Sequence, residues 1–333
     1  MLLAICHSRE TGWDQVEDLS TISDLREHGE LVWAEADVKD LDEADIAMIA
    51  EEFSLHELAV EDAVTLRQRP KVETFPDHFF IVLHQLDEEN GQLEPAQISI
   101  FLGHKYVLVL HGGAQRILRE ARHRWSQSTP EQSESAWLLY TLIDTIVDDF
   151  QRIADDLEGE IEEVEELTLE SLELPARTRM AMASDQMMQR RLYSLKQRIS
   201  RLRRYGQPAV RLVQAILETK EQDLLGREMV PLFTDIKDHA LRIEDQVGDG
   251  EGLTNALLDL RRGEQARTLN EVTKRLTGWA AIIAVPTLIS SVYGMNFALF
   301  PPEGGAFGFW FAVVLMSVIG VFLYLFFRHR NWI

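Results

Sequence analysis

Eight residues with small or oxygen-bearing side chains recur along one stretch of the chain: Asn270, Thr273, Thr277, Ala280, Ala284, Thr287, Ser291 and Gly294. Their spacings of 3, 4, 3, 4, 3, 4 and 3 place all of them on one face of an α-helix. Hydroxyl and amide oxygens are hard donors and suit hard cations, so this face reads as the wall of a wet cation path. Small residues at such spacing also serve close helix packing. The other faces carry Trp279, Ile282, Ile283, Val285, Leu288, Ile289 and Val292. Softer-metal and catalytic chemistry finds less support. His78, His84, His104, His111 and His123 are scattered, without HExxH spacing, and read as strand or turn residues. Neither GxxxxGK[ST] nor GxGxxG is present to cradle phosphate, and no nucleophile signature appears, so neither an enzyme nor an organic cofactor is expected.

The helix bearing this face runs into a region without charge. Between Arg275 and Glu303 lie 27 uncharged residues, and between Glu303 and Arg328 another 24. Crossing a bilayer takes ~20 residues of helix, so two membrane spans are expected, roughly 276–297 and 307–327. Trp279, Trp310 and Tyr324 sit toward their ends, where interfacial aromatics belong. Arg261, Arg262, Arg267, Lys274 and Arg275 precede the first span and Arg328 and Arg330 follow the second, while the loop between carries only Glu303. The positive-inside rule then places both termini in the cytoplasm of a multi-pass protein of the plasma (inner) membrane. The start MLLAICHSRETGWD has too short an apolar run for a signal peptide.

The chain has 333 residues, 55 acidic and 33 basic, for a net charge of −22. Such an excess argues against nucleic acid as a partner and favours cations. Cys6 is the one cysteine, so no intrachain disulfide can form and no zinc site needing two cysteines is available. From 1 to about 125, β-rich runs alternate with helical stretches: LVWAEA (31–36), HFFIVLHQL (78–86), AQISIFLG (96–103) and KYVLVLHG (105–112). Turn signals at Asp87, Asn90 and Gly91, then at Gly103 and His104, make the last three neighbouring antiparallel strands. Helices are expected from near Asp40 and near Ser54, with Ser54 and Glu57 as a capping box. The result is an N-terminal cytoplasmic α/β domain. Residues 126–252 read as a helical region. Within it, Asp148–Glu173 holds twelve acids and one base, whereas Arg177–Arg211 holds ten bases and one acid. The pattern predicts an antiparallel hairpin with its charged faces paired or solvated, and its acidic arm, Glu160 to Glu170, also suits gathering cations near a pore. After Gly252 a stalk helix is expected to continue from 253 to 297, into the bilayer as one rod. Two helices per chain cannot enclose an aqueous path, so a pore needs a ring of subunits.

At the outer end of this rod stands Tyr293-Gly294-Met295-Asn296-Phe297, followed by a short loop (298–306), the last apolar span and a basic tail (328–333) ending RHRNWI. With RPKVE (69–73), WLLYTLIDTIVDDF (137–150), VPLFTDIKDH (230–239) and LNEVTKRLT (269–277), this resembles the CorA family of divalent-metal channels over nearly the whole chain. The resemblance implies an α+β membrane protein that assembles as a homopentameric funnel within membrane lipid, its second span forming the outer wall. It implies magnesium as both transported and regulatory ion, with cobalt or nickel as further cargo. Gly294, Met295 and Asn296 would form the selectivity signature at the outer mouth, reading a hydrated ion through oxygen atoms without stripping its water. Glu303 would raise cation concentration there. Asn270, Thr273, Leu276, Ala280, Ala284 and Thr287 would line the pore, with Asn270 at the cytoplasmic exit and Leu276 as a dewetting constriction. The family often has methionine where Thr273 and Ala284 stand, so either Leu276 gates alone or the pore is wider and wetter. Asp235 falls on a regulatory metal position, with Asp87 as its cross-subunit partner and Glu88 and Asp238 nearby; a bound ion, by relieving their mutual repulsion, would hold the ring shut. Two alternatives are a zinc transporter of the related proton-coupled branch and a membrane-anchored scaffold. The hydroxyl-bearing face argues against the scaffold, because a tether needs no polar stripe.

Overall fold

Runs dense in Val, Ile, Phe and Leu form strands that are covered on both faces, because such side chains fit a pleated surface packed from two sides. The structure, a computed structural model, describes residues 3–8, 12–15, 22–28, 31–127, 135–173, 184–218, 226–295, 306–330 and 332. One compact unit comprises Met1–Glu173 and Met182–Asn255, and a second comprises Leu174–Ala181 and Ala256–Ile333. In the first, seven strands form one sheet: β1 (Leu3–Ser8), β2 (Gly12–Gln15), β3 (Leu31–Asp37), β4 (Lys71–Thr74), β5 (His78–Glu89), β6 (Gln92–Gly103) and β7 (Tyr106–His111). Their order is β2-β1-β3-β7-β6-β5-β4, antiparallel throughout except for β3 beside β7. The expected β5-β6-β7 meander is present. Asn90 and Gly91 turn between β5 and β6 with φ of 52° and 74°, the twist a two-residue hairpin requires. β1, β2 and β4 were not anticipated, being only four to six residues long and so too short to carry a pattern of their own.

Alternate residues of the strands face opposite layers. Val32, Ala34, Phe80, Val82, Phe101 and Leu108 pack with Ile22 of α1 (Ile22–Glu27), Ile49 of α2 (Glu43–Glu52), Phe53 just beyond it, and Ala59 and Ala63 of α3 (Glu57–Thr65). On the other side Trp33 meets Trp125 of α4 (Gln115–Ser126), with ring centroids 3.8 Å apart. The expected capping box at Ser54 is corrected by the structure. Ser54 takes φ 54° and closes α2, where the Leu55 amide donates to the Ala50 carbonyl at 2.9 Å and the Ser54 amide to Glu51 at 3.1 Å. With Ser54 used as a helix stop, α3 is capped by His56, whose Nδ1 accepts from the Leu58 amide at 3.2 Å. The capping box opens α2 instead, formed by Asp42 and Asp45.

Two long helices, α5 (Ser135–Glu173) and α6 (Ser184–Glu218), form the antiparallel hairpin. Glu160 pairs with Arg198 at 2.5 Å and Glu163 with Arg191, so partner numbers rise along one helix as they fall along the other. Glu166 and Glu170 stay exposed, so the charged faces are partly paired and partly solvated. Helix α7 runs from Val230 to Tyr293 over 64 residues, beginning well before the expected start after Gly252. The helix runs through Gly248, Gly250 and Gly252, and Gly250 serves close approach: a Cβ there would lie 3.1 Å from Ile161 Cδ1 of α5. The periodic apolar residues Phe233, Ile236, Ala240, Ile243 and Val247 are buried on the same stretch and hold it helical. In the second unit α7 continues to Tyr293, and α8 (Ala306–His329) follows. Both helices hold stretches long and apolar enough to cross a membrane. Phe297, the expected end of the first span, lies outside the described residues.

Buried histidines give the first unit a pH dependence. His111 Nδ1 accepts the Gly113 and Ala114 amides at 3.2 Å each, which only an unprotonated nitrogen can do, so Asp37 at 3.8 Å faces a neutral ring. Burial lowers the pKa of His78, His84 and His111, that of His84 from 6.5 to about 4. Below pH 6.5 the unfolded chain takes up a proton that folded His84 refuses until about pH 4, so stability falls as pH drops through this window. Thermal unfolding between pH 6.5 and pH 4.5 should show a falling midpoint, to which His84 contributes about 1.4 kcal/mol per pH unit. His84→Phe should flatten that slope; an unchanged slope would remove His84 from it.

Candidate functional site

The oxygen-bearing face of α7 lies in the second unit and is open along its length. Asn270, Thr273, Thr277, Ala280, Ala284, Thr287, Ser291 and Gly294 are all exposed. The covered or half-covered residues of the same stretch are Gly278, Ala281, Ile282, Val285, Pro286, Ile289 and Tyr293. At about 100° per residue these two sets point to roughly opposite sides of the helix. Beside the covered side, Trp279 meets Tyr324 of α8 with ring centroids 6.3 Å apart. The face that would tolerate water is therefore unpacked within the chain, as are the apolar Trp279, Ile283, Leu288 and Val292.

Hydrogen bonding sharpens what that face offers. Thr287 Oγ1 donates to the Ile283 carbonyl at 2.8 Å, and Ser291 Oγ donates to the Thr287 carbonyl at 2.8 Å. Each hydroxyl hydrogen is thus directed back along the helix, leaving oxygen lone pairs for whatever lies alongside. A surface of acceptors suits a cation or the water around it. Leu276, on the same side, is 69% exposed. At the end of the helix the Gly294 amide donates to Ser290 at 3.0 Å and the Met295 amide to Val292 at 3.2 Å. A Cβ on Gly294 would meet only ordinary contacts, 3.4 Å from the Ser290 carbonyl and 3.5 Å from that of Ser291. Among the described residues nothing therefore demands glycine there. Asn296 and Glu303 lie outside the described residues.

The candidate regulatory acids belong to the first unit and fall into two patches. Asp87, at the end of β5, accepts from Arg116 Nε at 3.0 Å. The same guanidinium grips Asp149 of α5 with two bonds, of 3.0 and 2.7 Å, so Arg116 is a hub that sequence reasoning missed. Arg152 adds a 3.0 Å contact to Asp149. Glu88 lies 3.6 Å from Arg198. Asp235 and Asp238 are exposed on α7, and Asp235 lies 3.9 Å from His239 one turn on. Beside Asp235 stands Asp144 of α5, whose pKa is raised by burial first, then by Asp148, with Asp235 adding a smaller push against Arg124 and His239. Asp144 and Asp148 were also missed, hidden inside the apolar motif 137–150, where each pairs with Arg124 of α4 at 3.0 Å. Among the described residues no three His, Cys, Asp or Glu side chains converge enough to hold a metal ion. Any multidentate site made from these acids needs groups from elsewhere.

Comparison with known proteins gives these features a family. A model described as "CorA-like Mg2+ transporter protein" matches residues 29–329. The chain is 32% identical to the cobalt/magnesium transport protein CorA of Thermotoga maritima over 293 residues, covering 86% of this chain and 80% of that one. The complete structure of the CorA magnesium transporter from Methanocaldococcus jannaschii superposes with a TM-score of 0.79 at 19% identity, covering 100% of this chain and 99% of that one. The cytoplasmic domain of ZntB from Vibrio parahaemolyticus matches with a TM-score of 0.56 at 15% identity, over 80% of this chain and 98% of that one. At such identities these structures establish the shared fold.

The Arg116 hub makes a stability prediction. Its removal leaves the buried Asp149 carboxylate with Arg152 alone, so Arg116→Met should cost about 2–3 kcal/mol in denaturant unfolding. Arg203→Met, which breaks the exposed pair with Glu251, should cost less than about 1 kcal/mol. Equal losses would show that Asp149 does not depend on the hub.

Proposed function

The chain belongs to the CorA-like Mg2+ transporter family, and on that premise we propose that it conducts magnesium through a ring of its own subunits, along the oxygen-bearing face of α7. It is a divalent-cation transporter of the membrane rather than an enzyme. The observation that carries the pore assignment is the open stripe of acceptors on the side of the helix opposite its packed face. In hydrocarbon such a face is costly, and two spans per chain cannot wrap it, so copies of the chain must turn these faces toward a common axis. The family resemblance supports five copies. In this arrangement Asn270 rings the cytoplasmic exit and Leu276 forms an apolar constriction. Thr273, Ala280, Ala284 and Thr287 line the path between Asn270 and the outer mouth.

Gly294, Met295 and Asn296 form the outer filter, with Glu303 in the loop 298–306 drawing cations toward it. Magnesium dehydrates reluctantly, so amide and carbonyl oxygens that accept from its water shell select it without removing that shell. No side chain on the stripe is a thiol or imidazole, which favours a hard ion over zinc. Cobalt and nickel are further cargo consistent with an oxygen-lined path that leaves the hydration shell in place.

Regulation follows from the acids. Asp87 of one subunit facing Asp235 of the next, with Glu88 and Asp238 beside them, gives a site that a divalent ion neutralises and whose emptying loosens the ring. Arg116 takes Asp87 Oδ1, leaving the other oxygen for the ion. The stretch of α7 that bears Asp235 continues as the pore helix, so a change at this interface acts on the pore-lining segment itself.

Uptake by proteoliposomes tests both halves. Asn296→Ala should cut magnesium flux about tenfold or more, and unchanged flux would sink the filter. Flux that requires a proton gradient and prefers zinc would replace magnesium conduction with the proton-coupled alternative. Asp235→Ala should raise the internal magnesium needed for half-inhibition roughly fivefold or more; identical inhibition would remove Asp235 from the sensor.

A further inference from the structure

In a chain where acids outnumber bases 55 to 33, most arginines of the first unit have found a carboxylate. Of those without one among the described residues, Arg67, Arg69, Arg204 and Arg211 all line one cavity of about 1030 Å³, whereas Arg119, Arg190 and Arg242 lie outside it. The cavity lies between the segment joining α3 to β4 and the second half of α6, both within the first unit. Its volume is that of a pocket for a small organic ligand.

The local backbone explains why the four converge. Arg69 precedes Pro70, which disfavours a helical backbone at Arg69, and Arg67, Gln68 and Arg69 all line the cavity. Gln68 anchors the segment: its amide donates to Gln97 Oε1 at 2.8 Å and its side chain to Asp62 Oδ1 at 2.7 Å. Arg204 and Arg211 are two turns apart on α6 and so face the same way. The acids that might have neutralised them are committed elsewhere. Asp62 is held by Lys71 at 2.6 Å, Glu73 by Lys71 at 2.8 Å and Glu94 by Arg201 at 2.5 Å. Arg203, one residue from Arg204, points away to Glu251 at 2.5 Å.

The cavity also has an aromatic wall. Tyr205 lies against His84 with ring centroids 4.7 Å apart. His84 is 6% exposed, its Nδ1 has no partner, and burial keeps the ring neutral. A purely electrostatic surface would not need such a wall. Guanidinium groups match phosphate oxygens in bidentate geometry, and a planar organic group packs against an aromatic ring.

We propose that this cavity binds a soluble phosphorylated organic anion of nucleotide size, its phosphates between Arg67, Arg69, Arg204 and Arg211 and its organic part against Tyr205. Such a ligand would occupy the first unit independently of the cation path.

Calorimetric titration of the full-length protein in detergent with ADP and with pyrophosphate, in chelator and without divalent ions, tests it. ADP should bind saturably, one per chain and more tightly than pyrophosphate. The double variants Arg204→Gln with Arg211→Gln and Arg67→Gln with Arg69→Gln, from opposite walls, should each weaken ADP about tenfold or more, with unchanged thermal unfolding. Arg190→Gln, outside the cavity, should bind as wild type. Tyr205→Ala should bring ADP down to pyrophosphate. Absence of saturable binding, or equal binding by all variants, overturns the site. Pyrophosphate binding as tightly as ADP overturns the organic wall, and displacement of ADP by phosphatidic acid in mixed micelles would assign the site to a lipid headgroup instead.

Discussion

A helix that crosses a membrane cannot present oxygen acceptors to hydrocarbon without cost, and this constraint organises the second unit. The stripe from Asn270 to Gly294 satisfies its hydroxyl hydrogens on its own backbone where bonds are formed, at Thr287 and Ser291, but its lone pairs still need water, ions or protein. The opposite side of α7 is covered or half-covered, and among the described residues the stripe stays exposed. On the proposed function, assembly, conduction and the need for small residues along one face answer the same requirement. A ring would hide the stripe from lipid, and small side chains would leave room for a hydrated ion within it.

The negative charge is distributed by a different logic. Residues from Leu276 onward carry one acid and two bases, so the remainder of the chain holds a net −23. Much of it is spent on structure: Glu160 and Glu163 tie the hairpin, and Asp149 is clamped by Arg116 and Arg152. What stays unneutralised concentrates at exposed acids such as Asp235 and Asp238, where a neighbouring chain or an ion can reach them. The unpaired arginines between α6 and the α3–β4 segment are the reverse case. There the local sequence withholds carboxylates from cations it has gathered.

How much was legible beforehand depended on the range of the interaction. The strands β3, β5, β6 and β7, both apolar spans and the charged hairpin are written in periodicity and composition, which are local. The edge strands β2 and β4 are not, since four residues acquire strand geometry only from the neighbour they pair with. The stalk helix was expected only after Gly252, yet it runs on through Gly250, where α7 needs to approach Ile161. Ser54 and Glu57 had capping-box spacing, but the end of α2 claimed Ser54 first. At the candidate site the stripe was readable from spacing alone. Arg116 and Asp144 were not, because their roles arise from contacts across 33 residues in one case and between two separate helices in the other.

The claim on which the account turns is that the stripe faces water carrying a cation, and cysteine accessibility tests it most directly. In a Cys6→Ser background, single cysteines at Thr287 and at Ile289 would be exposed to a water-soluble, membrane-impermeant thiol reagent in reconstituted vesicles. The account predicts that the cysteine at 287 reacts, that magnesium slows its reaction, and that modification blocks flux, whereas the cysteine at 289, on the packed side, stays inert. Equal reactivity at the two positions, or an inert cysteine at 287 in vesicles that conduct magnesium, would contradict it.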